Sequence, residues 1–599
     1  TEIIQAVNTN RIALDSENNA IGSIDNVSIK EVSNIGDFTF SRGSNLSATR
    51  VNASQLIEKG RENLLTYSND FSQWTKQNVT IADNAIANPF GSGNTQTMTE
   101  LVATSQYRVY SGSATTTSGT MYSHSVYVKR LTGTRDFALI DVAGGARVYF
   151  NMTTISVGSE QVGKGKIEDV GNGWYRLSVY GLATGNSSFF LAMANGTTSG
   201  SETYTSDGSG SFALYAAQVE IGLAATEVIE SGATTGKAGL LENTPRLDYS
   251  GGASCPSLLL EPSRTNLAIS SELLDNTFYS NINSSVTNNN ATSPEGVQNA
   301  ALLKNTYDDN QASYIRDLSV GMAPSTTYTA TIYAKYVNCQ YIFVRNLGVG
   351  GAPEVYFDIQ NGVVGLEETG LTGDIEPIGN GWYRCIATGT TPSTITNNYI
   401  DIGLANEDDG NRESNLNQSA HLYGFQIEEA SYATSYIPTY GVSQTRALDA
   451  MNEQLSGLTS LEQGTFFLDF DRGLTNATAR DGNTDGFFYR SGSSFPATNA
   501  IEIATDADGK VRLAIRINGF QQLYANDTLS RYKMLVKWSG TSVKAYVNGV
   551  LAYDNPTRWT TTLPLEYIGY NASFRKSVNQ VLTFPSALSD VECIALTTI

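Results

Sequence analysis

The 599-residue sequence has few charged side chains, 16% of the total, and only four cysteines. No two cysteines form a Cys-x-x-Cys pair, which excludes zinc sites of the usual spacing. Domains of this size need no disulfide to fold. Two alternatives therefore stay open for Cys339 and Cys385, a bridge between them or buried free thiols.

Histidine is scarcer still, since His124 and His421 are the only two in the chain. A Ser-His-Asp or Cys-His catalytic site needs a histidine, and neither residue accompanies a nucleophile motif. Acid–base hydrolysis needs only two carboxylates about 5–9 Å apart. The 58 acidic residues do not exclude such a pair, but none stands in a recognisable motif. We therefore expect a protein that is not an enzyme.

Long apolar runs are also missing. No stretch of about 18 apolar residues occurs, so we expect no membrane insertion. The net charge of −20 repels a phosphate backbone, which disfavours nucleic acid as a partner. The same excess of carboxylates favours calcium at the surface.

Asn, Ser, Thr and Gly take the place of the missing charges, and tyrosine occurs 32 times. The segment TYTATIYAK at 327–335 alternates strictly, with Tyr328, Ala330 and Ile332 on one face of a strand. Strands of this kind are separated by Gly, Asn and Ser clusters, and long helical periodicity is absent. This pattern predicts an all-β protein.

Four blocks of sequence occur twice in the same order, at offsets of 206 to 208 residues (331 − 125 and 382 − 174). Such conserved order and spacing indicate a duplicated domain, and we expect tandem antiparallel jelly-roll β-sandwiches. The blocks are SVYVK and TIYAK at 125–129 and 331–335, VYFN and VYFD at 148–151 and 355–358, GNGWYR at 171–176 and 379–384, and LYAAQVE and LYGFQIE at 214–220 and 422–428.

The last 150 residues follow a different pattern. KMLVKWSGTSVKAYVNGVLAYD at 533–554 predicts three strands joined at Ser539-Gly540 and Asn548-Gly549, which favours a second kind of β-sandwich. At the other end, SIDNVSIKEV at 23–32 resembles the strand that ends each copy, so the chain is expected to begin inside an earlier module. We predict a module end and linker hairpin at 1–60, jelly rolls at 61–230 and 264–440, a linker at 231–263, and the final sandwich at 441–599.

Several phrases resemble phage tail and tail-fibre proteins, in which they bracket jelly rolls similar to carbohydrate-binding modules. They are FTFSRGSNLSATRVNASQLIE at 38–58, PRLDYSGGASCPSLLLEPSRTNL at 245–267 and ATSYIPT at 433–439. The segment ending FPSALSDVECIALTT at 584–598 resembles a laminin-G or concanavalin-A-like lectin domain. One departure is that a whole jelly roll separates the first two phrases here.

The resemblance implies an extracellular virion protein that attaches to host cell-surface glycans, contacts other virion proteins and brings no catalytic residue. A homo-oligomer, a trimer by analogy, would raise weak sugar affinities through avidity. Two alternatives stay open. The modules are architectural and have no ligand, or the chain is a secreted adhesin or an accessory part of a polysaccharide-degrading enzyme.

The repeated GNGWYR motif has a structural and a functional interpretation. Trp174 and Trp382 are expected to be buried, with Arg176 and Arg384 packed near them or bonded to a neighbouring loop, while the alternative is an aromatic platform for a sugar. A repeated polar pair, Gln218 with Glu220 and Gln426 with Glu428, is expected to be structural too, with binding of hydroxyls or calcium as the alternative.

Two further groups in the last 150 residues are candidate sites. Trp538, Tyr546 and Trp559 lie on or beside the predicted meander and are candidates for stacking on sugars, with core packing as the alternative. Asp481, Asn483 and Asp485 in DGNTDG match the first half of a calcium loop. Gly492 stands where the bidentate Glu is expected, so an ordinary acidic turn is the alternative.

Overall fold

Antiparallel β-strands form most of the structure. The computed structural model describes residues 39–599 except 44–46, 94, 112–113, 141–146, 163, 186–187, 308–310, 409, 455–461, 472–484, 491–498, 506–510, 518–519, 525–528, 558, 560–564, 566 and 572–575. These residues also include 3-10 turns at Phe71–Gln73 and Ser250–Gly252 and an α-helix at Asp590–Thr597. No helix in this part of the chain is long and apolar enough to cross a membrane. The predicted all-β sandwich class is confirmed.

The first module is a sandwich of two sheets whose alternate side chains, such as Val126, Leu177 and Phe137, are fully buried between them. Its front sheet has the strand order Lys164–Gly171, Trp174–Leu182, Met121–Thr132, Ser211–Ile221, Thr95–Glu100, Val79–Asn84. Its back sheet has the order Ser156–Val162, Arg147–Asn151, Asp136–Ile140, Phe190–Ala194, Thr104–Tyr110, Thr203–Thr205, and Thr75–Gln77 also pairs with Thr104–Tyr110.

The second module repeats this strand order apart from the edge strand Thr203–Thr205, so the sequence duplication is a structural duplication. Its front sheet runs Leu371–Gly379, Trp382–Thr390, Thr327–Tyr336, Ser419–Glu428, Gln298–Asn305, Ser284–Thr292. Its back sheet runs Val363–Glu367, Glu354–Asp358, Tyr341–Arg345, Ile400–Ala405, Ser313–Asp317, Ser280–Ile282. A short ladder between Arg264–Asn266 and Gln444–Arg446 joins the two ends of the module.

The C-terminal module is a third sandwich, with the helix packed on its outside against Phe467, Leu535 and Tyr546. One sheet has the order Thr39–Ser41, Ala450–Gln454, Tyr567–Asn571, Asp485–Arg490, Ala500–Thr505, Val511–Arg516, Phe520–Tyr524. The other has the order Leu247–Asp248, Ser257–Leu260, Lys576–Phe584, Gln463–Asp471, Arg531–Ser539, Ser542–Val547, Val550–Asn555.

The predicted linker at 231–263 is corrected by these pairings, because it contains strands of two different sheets. Leu247–Asp248 and Ser257–Leu260 extend the C-terminal module, where Leu260 is fully buried in the core. Gly236–Gly239 pairs with Ile57–Asn63, which pairs in turn with Thr49–Val51. The hairpin of residues 49–63, called the docking hairpin below, therefore belongs to a small three-stranded sheet of its own.

A buried ionic cluster joins the C-terminal module to the second module. This junction cluster takes Arg42, Arg246 and Glu261 from two of the phrases that carry the phage resemblance, and Arg446 and Asp449 from the segment just after the third. The Arg246 guanidinium donates to Glu261 at 2.8 Å and to Asp449, and Arg446 reaches Glu261 at 3.0 Å. Arg42 donates to Asp449 at 3.2 Å. In this structure the phrases thus form a buried joint.

The four cysteines are free thiols. Cys339 and Cys385 are buried and unbridged, and Cys593 is buried beside the helix. Burial raises the pKa of the Cys339 thiol to about 12, so this group stays protonated at neutral pH. Cys255 is exposed.

Candidate functional site

In the GNGWYR motif of the first module, Trp174 and Arg176 lie on the outer face of the front sheet, while Tyr175 packs against the sandwich core. Gly173 has a positive φ of 75°, which the tight turn before the strand requires. Trp174 is 1% exposed, and its indole N–H donates to the Ala87 carbonyl at 3.2 Å. Arg176 donates to the Thr226 carbonyl at 2.6 Å and lies 5.1 Å from the centre of the Tyr127 ring.

The second module repeats these contacts. Trp382 is 2% exposed and donates to the Thr292 carbonyl at 3.2 Å. Arg384 donates to the Thr434 carbonyl at 2.6 Å, with the Tyr333 ring centre at 5.6 Å. Neither tryptophan offers a ring face to a ligand. Each indole N–H instead holds the loop that covers the ring, through its bond to a loop carbonyl.

The repeated Gln–Glu pair has the same structural role in both modules. Gln218 accepts from the Ile229 N–H at 2.7 Å, and Glu220 accepts from the Thr226 N–H at 3.0 Å. In the second module Gln426 accepts from Ile437 at 2.6 Å and Glu428 from Thr434 at 2.9 Å; these polar side chains therefore fix the loop that follows their strand.

An open cleft of about 1500 Å³ separates the front face of the first module from the edge of the second. Phe90, which lines it, is 61% exposed and contacts Tyr127 and Tyr215 edge to face at 5.7 and 6.1 Å. Burial raises the pKa of Tyr127 and Tyr180, so both hydroxyls remain donors at neutral pH. Most of the second module's contribution is neutral and polar, including Asn281, Ser284, Ser285, Thr287, Asn288, Asn289, Thr292 and Gln298.

The equivalent face of the second module is covered by the docking hairpin. Ile57 is 4% exposed and packs in one cluster with Tyr333, Trp382 and Tyr436. Thr49 donates to the Tyr436 carbonyl at 2.6 Å. A narrower groove of about 570 Å³ remains beside the hairpin and is lined more by apolar atoms than by polar ones.

The aromatic platform predicted in the C-terminal module is wrong. Trp538 and Tyr546 are 1% exposed and Trp559 is 3% exposed. The two tryptophan rings stack on each other at 4.5 Å inside the sandwich, and Tyr546 packs under the helix. Trp538 and Tyr546 point toward packed layers on opposite sides of the sheet, and Trp559 lies against Trp538, so none of them can stack on a sugar.

The calcium prediction falls largely outside the described residues. Asp481 and Asn483 are outside the residues that the structure describes, while Asp485 begins the strand Asp485–Arg490. Among the residues that the structure describes, no group of three or more His, Cys, Asp or Glu side chains is arranged to hold a metal ion. Calcium at DGNTDG stays a prediction.

Sequence reasoning missed Phe90 and the Asn-rich strand at Ser284–Thr292. The signal for Phe90 is local, because Asn88 in NPFGSG accepts from the Phe90 N–H at 2.9 Å and turns the chain so that the ring stands at the loop tip. The cleft itself depends on how two modules pack. Their contact includes the Met121 N–H bonded to the Tyr440 carbonyl at 2.9 Å, which no local pattern reveals.

Comparisons with known proteins assign no family to this chain. No protein-family model matches the sequence, and a search of curated proteins finds no match. Among solved structures, the chain is similar to the N-terminal CBM22-1–CBM22-2 tandem domain of Xyn10C from Paenibacillus barcinonensis, with 11% identity and a TM-score of 0.21. The match covers 65% of this chain and 100% of that one. A similarity this weak says nothing about a ligand.

Proposed function

We propose that the chain is a non-enzymatic glycan-binding protein and that the cleft between the first and second modules is its sugar site. The observation that carries the proposal is the lining of this cleft, which combines an exposed aromatic ring with amides and hydroxyls and with charged side chains such as Lys166 and Glu168. Sugar hydroxyls pair with Asn, Gln, Ser and Thr side chains, and the apolar face of a sugar ring packs on an aromatic ring.

The sequence resemblance supports a biological setting on a phage virion, outside the cell, with host surface glycans as the ligand. A single open cleft gives a weak site. Homo-oligomerisation into a trimeric fibre, together with contacts to other virion proteins, would convert it into firm attachment through effective concentration.

The test is a glycan array at high protein density, with and without calcium, followed by titration of any ligand found. Phe90→Ala is expected to weaken binding about tenfold, which corresponds to about 1.4 kcal/mol. Tyr307→Ala is the matched control, because Tyr307 is 47% exposed and does not line the cleft. Absence of binding under both conditions, or equal loss in the two variants, would contradict the proposal.

A purely architectural role is the second candidate, and the junction cluster favours it. One phrase that resembles phage proteins supplies Arg246 and Glu261 to this buried joint, and Asp449 follows another, so the similarity reports assembly of modules more directly than ligand binding. An accessory module of a polysaccharide-degrading enzyme is compatible with the same cleft. Binding to plant cell-wall polysaccharides, but to no bacterial surface glycan, would favour that setting.

A further inference from the structure

A second buried cluster lies where the docking hairpin meets the second module, and the proposed sugar site makes no use of it. Lys59 extends from the strand Ile57–Asn63, and its Nζ lies 3.1 Å from Glu272 Oε1 and 2.7 Å from Glu295 Oε1. The three side chains are 8%, 1% and 2% exposed. Lysine and glutamate are rarely buried this deeply, so the cluster needs an explanation.

Asn299 completes the cluster by contacting the same two carboxylates. Its Nδ2 donates to Glu272 Oε2 at 3.1 Å and to Glu295 Oε2 at 2.8 Å. The Lys59 amine contacts one oxygen of each carboxylate and the Asn299 amide contacts the other. Each carboxyl group therefore bridges the two side chains. Asn299 Oδ1 is buried and has no hydrogen-bond partner among the described residues.

The surroundings exclude bulk water and hold Glu272 in place. The Tyr440 hydroxyl donates to Glu272 Oε1 at 2.9 Å and the Tyr423 hydroxyl to the same oxygen at 3.3 Å. A cavity of about 30 Å³ borders Lys59, Glu295 and Asn299. That exceeds the roughly 10–15 Å³ that one water molecule needs, and ammonia is of similar size.

The pKa values of the two acids shift in opposite directions. Burial raises the pKa of Glu272 while the Lys59 charge opposes the rise, whereas for Glu295 the charges of Lys59 and Arg61 outweigh burial and lower the pKa. The two carboxylates likewise raise the pKa of Lys59 despite its burial, so the ammonium form dominates. Transfer of one proton from Lys59 to Glu295 leaves the net charge unchanged and removes a buried ion pair. Because the pKa of Lys59 is raised and that of Glu295 is lowered, the free amine is a minor form, and the reaction proceeds slowly through it.

We propose that Lys59 and Asn299 form an intramolecular isopeptide bond, assisted by Glu272 and Glu295. The Lys59 Nζ attacks Asn299 Cγ after Glu295 accepts a proton from it. Rotation of the Asn299 amide turns Oδ1 toward Glu272, whose acid form donates a hydrogen bond to the developing oxyanion. The Cγ–Nδ2 bond then breaks, and Nδ2 takes the second Nζ proton and leaves as ammonia, which becomes ammonium if it also takes the proton held on Glu295. Atoms and charge balance without an oxidant, reductant or cofactor.

The bond would staple the docking hairpin to the second module across 240 residues of chain (299 − 59). The second module's front face would then be closed permanently by Ile57 and its neighbours. In the first module, Asn69 occupies the position of Glu272. The residues before them show the correspondence, because Ser68 donates to the Ser231 carbonyl and Ser271 donates to the equivalent carbonyl of Thr439. The first copy therefore lacks the acid that contacts both reacting groups.

Intact-mass spectrometry of the denatured full-length chain tests the proposal. The expected mass is lower than the sequence mass by one ammonia molecule, and a protease digest should contain one branched peptide that joins Lys59 to Asn299. An unchanged mass after prolonged incubation at neutral pH overturns the proposal. Loss of one water instead also overturns it, because water leaves when the acyl partner is a glutamate.

Three variants and one control sharpen the result. Lys59→Arg keeps the positive charge and is expected to show the full sequence mass, as is Glu295→Gln. Asn299→Asp is expected to lose water in place of ammonia. Lys76→Arg, at an exposed lysine that donates only to backbone carbonyls, should retain the ammonia loss. The branched peptide from the unaltered chain decides the question even if a variant fails to fold.

Discussion

The first and second modules share one framework but carry opposite side chains at equivalent loop tips. The two tryptophans donate to the carbonyls of Ala87 and Thr292, which are 205 positions apart. The same offset makes Phe90 and Glu295 equivalent positions. Phe90 is 61% exposed in an open cleft, whereas Glu295 is 5% exposed and binds Lys59 of the docking hairpin. A duplicated scaffold has thus kept an open face in one copy and a closed face in the other.

This difference shows where to search for function in a duplicated protein. The residues that both copies keep hold loops, since the tryptophan, the arginine and the Gln–Glu pair all bond backbone groups. The residues that differ decide what reaches the surface. A repeated motif is therefore weak evidence for a repeated site, and the unrepeated positions next to it are more informative.

The largest expected effect comes from breaking the junction cluster, which among the described residues lies at the second module and not at the first. Arg246→Met removes the cation that contacts both Glu261 and Asp449, which are 0% and 4% exposed. Loss of one partner from a buried ion pair costs about 3–5 kcal/mol. Chemical denaturation should show the second and C-terminal modules unfolding earlier. An equal shift for the first module, followed through its own tryptophans, would contradict the separation of the copies.

The tryptophan pair gives the matched test of the shared framework. Trp174→Ala and Trp382→Ala are each expected to reduce the free energy of unfolding by about 3–5 kcal/mol, because each removes a buried ring and opens a cavity. The two losses should agree, since both indoles donate to an equivalent carbonyl at 3.2 Å. If Trp174→Ala left stability unchanged and abolished glycan binding, the platform interpretation would replace the structural one.

Period-two alternation and a constant offset between copies were sufficient to predict the sandwiches and their duplication, because both depend on local pattern. The C-terminal aromatics were mispredicted because alternation separates two faces without saying whether a helix covers the outer one, as it does at Tyr546. The cleft and the Lys59 cluster depend on contacts between segments hundreds of residues apart. Charge patterning in the sequence does not reveal such contacts.

A smaller, pH-dependent difference should separate the copies. His124 is buried in the first module, with neither ring nitrogen bonded to a described residue, and the second module has Ala330 at the equivalent position. Burial lowers the pKa of His124 to about 3, below its unfolded value of about 6.5. Between these values the unfolded chain binds a proton that the folded chain excludes, so stability falls as the pH falls.

The expected slope is about 1.4 kcal/mol for each pH unit. It is measured by chemical denaturation of the unaltered chain at pH 6 and pH 4. His124→Leu keeps an apolar side chain in the core and should remove this part of the dependence. Identical slopes in the two proteins would show that His124 is not the group responsible.

The smallest expected difference concerns the loops that the Gln–Glu pairs fix. Gln218→Ala and Gln426→Ala each leave a buried N–H without its acceptor, at a cost of about 1–3 kcal/mol. In the second module the same loop is also held by the junction cluster, since Ser435 donates to Glu261 at 2.6 Å and accepts from Arg246 at 2.7 Å. The first-module loop at 226–229 has no such junction cluster beside it and borders the open cleft.

Hydrogen exchange at the Ile229 and Ile437 amides measures this difference directly. Gln218→Ala should speed exchange at Ile229 more than Gln426→Ala speeds it at Ile437, because local opening in the second module must also disturb buried ion pairs. Since Thr226 and Val228 line the cleft, Gln218→Ala should in addition weaken glycan binding without touching the ligand. Equal acceleration at both amides would show that the junction cluster does not stiffen the second copy, and the closed face would then depend on the docking hairpin alone.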